Sequence, residues 1–309
     1  MAEGQGEGER GKKQEARFLL NALAKQLADD AGNEAGNEAH NQASGALIDN
    51  PRRDANLILQ MALQSQEPVL MHHDITLDEA AERRLADLMA RRLAGEPISR
   101  MRGWREFYSL DFILNEETLD PRPDSEVLVD AAIAHCGDAP YRIADFGTGS
   151  GCLLIAVLAN CQKASGVGLD LSARAIAQAT HNAAHNKVAE RARFAVSDWD
   201  SALDDEARFE VILSNPPYIP TGDEMSLSPE VRLHDPHLAL FAGEDGLDCY
   251  RIVMGIFAKR LTSTGVCFVE IGKGQEAGVE AIARKAGLVP MARLTDLSGI
   301  IRVLKFCQK

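Results

Sequence analysis

The chain has no run of about 18 apolar residues, so no membrane span is expected. Its opening residues, MAEGQGEGERGKKQE, lack the apolar core of a secretory signal. None of the six cysteines (Cys136, Cys152, Cys161, Cys249, Cys267 and Cys307) belongs to a Cys-x-x-Cys pair, which argues against a zinc site. Without an export signal they are expected as reduced thiols, with the cytoplasm as the default compartment. Basic residues are in deficit. The 33 Lys and Arg face 46 Asp and Glu, a net charge of −13. Such a chain does not grip a phosphate backbone through bulk charge, so direct nucleic-acid binding is not expected. No Gly-x-Ser-x-Gly elbow occurs, which leaves an α/β hydrolase without support.

What is present divides at a change of pattern. Residues 1–15 are rich in Gly, Glu and Lys and are expected to be a disordered tail. Apolar residues at helical spacing predict a helix over 16–29. A tandem AGNE repeat then makes 31–45 a polar linker. A second helix is expected from Pro51 through DANLILQMALQ, and a third over 77–94, stopped by Gly95. Residues 16–95 therefore read as a small helical domain. Residues 96–122 read as a linker, with a hairpin over 104–115 and a stiff Pro121-Arg122-Pro123. Over 123–309 strands are expected at 142–146, 166–170, 192–196, 209–214, 266–271, 288–294 and 300–306. Helices fit at 151–161, 172–186, 200–206, 249–262 and 275–286. This is an α/β pattern with a mixed sheet, whose ligands sit beyond the carboxyl ends of the strands.

Four motifs fall at those strand ends. Asp145-Phe146-Gly147-Thr148-Gly149-Ser150-Gly151 follows the first strand, and its alternate glycines allow a tight turn and close backbone approach to a ligand. It is not the dinucleotide fingerprint, because Cys152 stands where the third glycine belongs. Asp170 closes the next strand, 19 positions after Gly151, where a carboxylate can accept ribose hydroxyls. Asp198-Trp199 follows the third strand and can meet an adenine, the carboxylate at the amine and the indole on the ring, although a core Trp reads equally well. Asn215-Pro216-Pro217-Tyr218 follows the fourth strand. Its prolines carry no N–H, so the loop offers neutral carbonyl acceptors for both hydrogens of an –NH₂ group. Tyr218 can pack on the flat group that bears the amine.

These parts suit methyl transfer from S-adenosylmethionine to a planar NH₂, leaving S-adenosylhomocysteine. The nitrogen lone pair of such a group is delocalised, and two oriented acceptors on its hydrogens push density back onto nitrogen. The remaining candidates are weaker. His181 and His185 share a helical face without a third ligand, and His72-His73 reads as surface. Glu270, at the end of an apolar strand, is left open between a place near the site and a pairing with a loop Lys.

The glycine loop, Asp170 and Asn215 to Tyr218 resemble the class I S-adenosylmethionine-dependent methyltransferases. Further segments are similar to the protein-(glutamine) methyltransferases that modify peptide chain release factors. These are Pro51-Arg52-Arg53-Asp54-Ala55, Gly95-Glu96-Pro97-Ile98, Gly103-Trp104-Arg105-Glu106-Phe107, Pro121-Arg122-Pro123-Asp124-Ser125-Glu126 and Ala242-Gly243-Glu244-Asp245-Gly246-Leu247. The resemblance spans about 46–306. It implies a seven-stranded Rossmann-like catalytic domain over 123–309, a hairpin linker, and a helical domain that docks the release factor. It implies methylation of the Gln in the Gly-Gly-Gln loop by an enzyme expected to be a monomer. Gly147, Thr148, Gly149, Ser150, Gly151, Asp170, Leu171, Asp198, Trp199 and Asn215 would hold the cofactor. Asn215, Pro216, Pro217 and Tyr218 would hold the Gln amide, with Arg122 and Ser125 beside them. A sister family that methylates a ribosomal protein reads Pro-Arg-Ser-Pro at this linker, which favours the release factor branch. Asp120 and His234-Asp235-Pro236 depart from the family pattern. On the Asn-Pro-Pro-Tyr motif alone, an adenine or cytosine amino-methyltransferase is the alternative, against which the charge of −13 counts. A catalytically idle fold that serves as a binding partner is a third reading.

Overall fold

The computed structural model describes residues 12–37, 48, 50–65, 67, 69 and 74–309. Contacts divide the chain into two compact units. The first runs to Arg102 and takes in Ser226–His234; the second comprises Gly103–Met225 and Asp235–Lys309.

In the first unit β1 (Lys12–Glu15) leads directly into α1 (Ala16–Asn37), and α2 (Pro51–Leu63), β2 (Asp74–Leu77), α3 (Glu79–Leu93) and α4 (Ile98–Arg102) follow. Helix α1 buries Ala16, Leu20, Leu23 and Leu27, one stripe at three- and four-residue spacing. Pro51 opens α2 behind Asn50, whose Oδ1 accepts from Arg53 N at 3.0 Å. Asp78 caps α3 in the same way, accepting from Ala81 N at 2.7 Å. Gly95 follows α3 at φ 90° and donates to Arg92 O, as a helix-ending glycine does.

Several boundaries differ from expectation. Residues 12–15 form a strand, antiparallel to β2, in place of the end of a disordered tail. That pairing takes Leu77 into β2 and delays the third helix to Glu79. Helix α1 continues to Asn37, so 31–37 are helical rather than linker. The rest of the expected linker, the start of the tail and His72-His73 lie outside the described residues.

The second unit opens with a hairpin, β3 (Trp104–Phe107) and β4 (Leu110–Ile113), then a short 3-10 turn at Pro123–Ser125 and α5 (Glu126–Cys136). Next come β5 (Arg142–Phe146), α6 (Cys152–Asn160), β6 (Ser165–Asp170), α7 (Ala173–His185), β7 (Ala192–Val196) and β8 (Phe209–Ser214). After α8 (Pro229–His234), which groups with the first unit, come α9 (Asp248–Arg260), β9 (Leu261–Glu270), α10 (Glu276–Lys285), β10 (Leu288–Thr295) and β11 (Ile301–Gln308). The sheet order is β10-β11-β9-β8-β5-β6-β7. Pairings from β7 across to β9 are parallel, and β11 is antiparallel to both its neighbours. This is the class I methyltransferase architecture.

Period-2 alternation sends Val211 and Leu213 of β8 to the face covered by α5 and α6, and Ile212 to the face covered by α9 and α10. The helix expected at 200–206 is a series of turns. Its carbonyls turn towards a buried cation instead of a helical ladder. Arg260 Nη1 donates to Asp204 O and Asp205 O, and Arg260 Nε to Asp200 Oδ2.

Candidate active site

The chain leaves β5 for β6 on one side and returns to β8 on the other, so the loops after β5 and β8 diverge at the carboxyl edge of the sheet. A cavity of about 480 Å³ opens there.

The loop after β5 is shaped by its glycines. Gly147, Gly149 and Gly151 have φ of 74°, 53° and 82°, a region that other residues enter at a cost. The amides of Gly147 and Thr148 both donate to Leu169 O at 2.9 Å, which pins the turn to β6. Thr148 Oγ1 donates to Asp145 Oδ2 at 2.6 Å. A Cβ at Gly168 would stand 2.7 Å from Thr148 Oγ1, so β6 has to be bare at that point. Asp170 ties two loops together, accepting from Gly149 N at 2.8 Å and Ser172 N at 2.9 Å. Each carboxylate oxygen has a further lone pair, so these bonds leave capacity for ribose hydroxyls.

Of the residues expected at the cofactor, Gly147, Thr148, Gly149, Ser150, Asp170, Leu171, Asp198, Trp199 and Asn215 line the cavity. Gly151 does not. A Cβ there would stand 2.8 Å from Ile155 Cδ1 and 3.1 Å from Ala179 Cβ, so its bareness lets α6 approach α7. Trp199 lines the cavity and also packs against the core. Of the residues expected at the substrate, Asn215, Pro217, Arg122 and Ser125 line the cavity, whereas Pro216 and Tyr218 do not. Pro216 is buried. The Tyr218 carbonyl accepts from Gln275 Nε2 at 2.8 Å, and burial pushes the Tyr218 phenol up to about 12. Asn215 Nδ2 donates to Ser125 Oγ at 3.3 Å. His181 and His185 are exposed on α7.

The two departures from the family pattern prove to be charge pairs. Asp120, 3% exposed, accepts from Arg105 Nη1 at 2.8 Å, and buried Asp235 pairs with Arg122. Two site features escaped the sequence reading. Asn182, fully buried on α7, bonds both backbone groups of Ile113 and donates to Ser150 O at 2.9 Å, joining the hairpin to the glycine loop. The segment carrying Pro236, Leu238, Ala239 and Phe241 forms a further wall. Asn182 sits on an apolar stripe where a polar residue has no neutral purpose, and that was its available signal.

Two carboxyls at the strand ends are buried without an ion pair among the described residues. Burial pushes Asp145 up to about 7, against the hydrogen bond from Thr148 and with the nearby charge of Asp170 adding to the rise. Burial likewise pushes Glu270 up to about 7.

Comparison with known proteins identifies the family and the fold. A family model described as "Methyltransferase small domain" matches residues 113–228, and one described as "PrmC N-terminal domain" matches 34–103. A release factor glutamine methyltransferase of Rhodospirillum rubrum is 42% identical over 258 residues, covering 83% of this chain and 79% of that protein. One of Agrobacterium fabrum is 43% identical over 241 residues, covering 76% and 81%. Among solved structures, the hMettl16 catalytic domain, crystallised with an RNA hairpin, covers 77% of this chain and 85% of its own at a TM-score of 0.51. Its 16% identity speaks to the fold alone. With identity above 40% across three quarters or more of its length, the chain belongs to the release factor glutamine methyltransferase family.

Proposed function

We propose that this protein transfers the methyl group of S-adenosylmethionine to the side-chain amide nitrogen of the glutamine in the Gly-Gly-Gln loop of peptide chain release factors. The observation that carries the reading is the placement of Asn215 on the cavity wall, at the end of β8, with its NH₂ directed to Ser125. That direction leaves Oδ1 as an acceptor for a substrate amide hydrogen. The proline carbonyl that follows is a second acceptor on a backbone with no N–H to compete.

The cavity's chemistry fits the cofactor. Asp170 is an anionic acceptor suited to a ribose, Trp199 and Leu171 are apolar surfaces suited to an adenine, and the buried Asp145 favours positive charge nearby. When bound, S-adenosylmethionine supplies an electrophilic methyl group on a sulfonium. The chain's own residues orient the acceptor. Asn215 Oδ1 and the Pro216 carbonyl would hold the two amide hydrogens, which turns the nitrogen lone pair towards the cavity and raises its density. Both dipoles are fixed beforehand and favour the positive charge that grows on nitrogen. Arg122, held by Asp235, lines the cavity with Ser125 and would lie on the substrate side. Residues 16–95 would form the domain that docks the release factor.

The test is methyl transfer from radiolabelled S-adenosylmethionine to a release factor, to the same factor with its Gly-Gly-Gln glutamine replaced, to ribosomal proteins and to DNA. Label on the intact factor alone is expected. Label on ribosomal protein or DNA in its place would refute the substrate assignment.

A further inference from the structure

Glu270 ends β9 with its side chain 2% exposed, beside the cavity but not lining it. Ser214 of β8 pairs with Val269 of β9 in parallel register, which makes the next residues along, Asn215 and Glu270, neighbours. Ser125 stands with both. Its Oγ accepts from Asn215 Nδ2 at 3.3 Å, and Ser125 and Asn215 both lower the Glu270 carboxyl as hydrogen-bond donors, Ser125 the more strongly. Glu270 Oε2 has no hydrogen-bond partner. The charged groups around it are Asp124 on the 3-10 turn and Arg302 on β11, and Arg302 is already bonded to Asp124 and Asp296. The remaining titratable neighbours are Tyr218, Tyr250 and Cys152, all pushed up by burial and neutral. The Tyr250 hydroxyl is spent on the backbone carbonyl of Glu270, at 2.9 Å.

Resting on the amide-methylation reading above, we propose that Glu270 is a positioning residue whose carboxylate fixes, directly and through Ser125, which end of the Asn215 amide faces the substrate. A carboxylate only accepts hydrogen bonds. The Ser125 hydroxyl must therefore donate to it, and Ser125 Oγ is left to accept from the Asn215 NH₂. Asn215 Oδ1 then points away from this chain of donors, towards the substrate. A protonated Glu270 can donate instead. Ser125 then donates to Asn215 Oδ1, the amide turns over, and its NH₂ meets the NH₂ of the substrate. Donor facing donor cannot hold the substrate nitrogen. Burial raises the Glu270 carboxyl and the hydrogen bond from Ser125 opposes the rise, leaving it at about 7, so the reversal falls in an accessible pH range.

The experiment follows the Asn215 side chain itself. Protein labelled with ¹⁵N-asparagine is titrated from about pH 6 to about pH 8, across the middle of the raised carboxyl range. The Asn215 Nδ2 resonance is assigned by its loss in Asn215→Ser. It is expected to move with a midpoint near 7 in the parent protein and to stay fixed in Glu270→Gln. In parallel, kcat for methyl transfer is expected to fall about tenfold per pH unit below the midpoint in the parent. That acid limb should be absent in Glu270→Gln, with KM for a Gly-Gly-Gln peptide little changed. A resonance that does not titrate in the parent, or an acid limb that survives in Glu270→Gln, would overturn the proposal. The resonance needs no substrate, so its outcome is separate from that of the substrate assignment.

Discussion

In the helical unit Arg92 is 3% exposed, yet its Nε donates to Asp54 Oδ2 at 2.8 Å and its Nη2 pairs with Glu230. At the carboxyl edge of the sheet Asp145 and Glu270 are as deeply buried and neither makes an ion pair among the described residues. A buried charge without a partner is costly to a scaffold, so away from the cavity each is compensated. Arg260, 2% exposed and far along α9, is matched by Asp200 in the same way. The uncompensated carboxyls collect where a cationic sulfonium and a polar amide are expected. Imbalance of this kind marks the site as clearly as its glycines do.

The contrast breaks first at Arg92. Arg92→Ala leaves Asp54 buried without its cation and is expected to destabilise the protein by about 3–5 kcal/mol, measured by urea unfolding. A loss below about 1 kcal/mol would mean that the helical unit tolerates bare charge as the sheet edge does. The next largest effect belongs to the site. Asn215→Ala is expected to lower kcat for methyl transfer about 100-fold, as removal of an oriented polar group in a catalytic cradle does. Cofactor affinity, read by calorimetry, should change much less. Near-normal turnover would remove Asn215 from the chemistry.

Much of this was legible because the signals were local. The glycine loop, the strand-end Asp170 and the Asn215 to Tyr218 loop are contiguous in sequence, and each falls at the end of a β-strand that its apolar pattern already announces. What escaped is set by partners distant in sequence. Asn182 acquires its purpose from Ile113, 69 positions away, and from Ser150. Asp204 and Asp205 form no helix because Arg260, more than 50 positions on, takes their carbonyls. The motif alone puts Gly151 with its cavity-lining neighbours, whereas its bareness answers to Ile155 and to Ala179 on the next helix. No window of sequence holds both members of such pairs.

Asp145→Asn sharpens the contrast from the other side. Burial raises the Asp145 carboxyl from 3.8 to about 7, so the folded protein retains a proton that the unfolded chain has released over that range. Stability is therefore lost as pH rises through the window, and the asparagine variant, with nothing to ionise, should escape that loss. Its advantage is expected to be absent near pH 4 and to reach about 2 kcal/mol above pH 7, allowing for the weaker bond that a neutral amide accepts from Thr148. Thermal unfolding across that range is the measurement, and parallel curves for the two proteins would show that Asp145 is compensated after all.

The smallest effect is expected at Asp170, whose two carboxylate oxygens are already engaged. Both accept backbone N–H groups, from Gly149 and Ser172, so the carboxylate shapes the two loops before any ligand arrives. Asp170→Asn keeps one acceptor oxygen and the side-chain volume. It gives up the charge that strengthens every bond the group accepts, and it turns a donor towards one of the two amides. Affinity for S-adenosylmethionine and S-adenosylhomocysteine should fall together, about tenfold, because both carry the same ribose. A larger loss for the sulfonium form alone would mean that Asp170 acts on charge rather than on hydroxyls. It would then join Asp145 and Glu270 as part of the unbalanced edge, and cofactor selectivity, rather than loop shape, would be what its carboxylate serves.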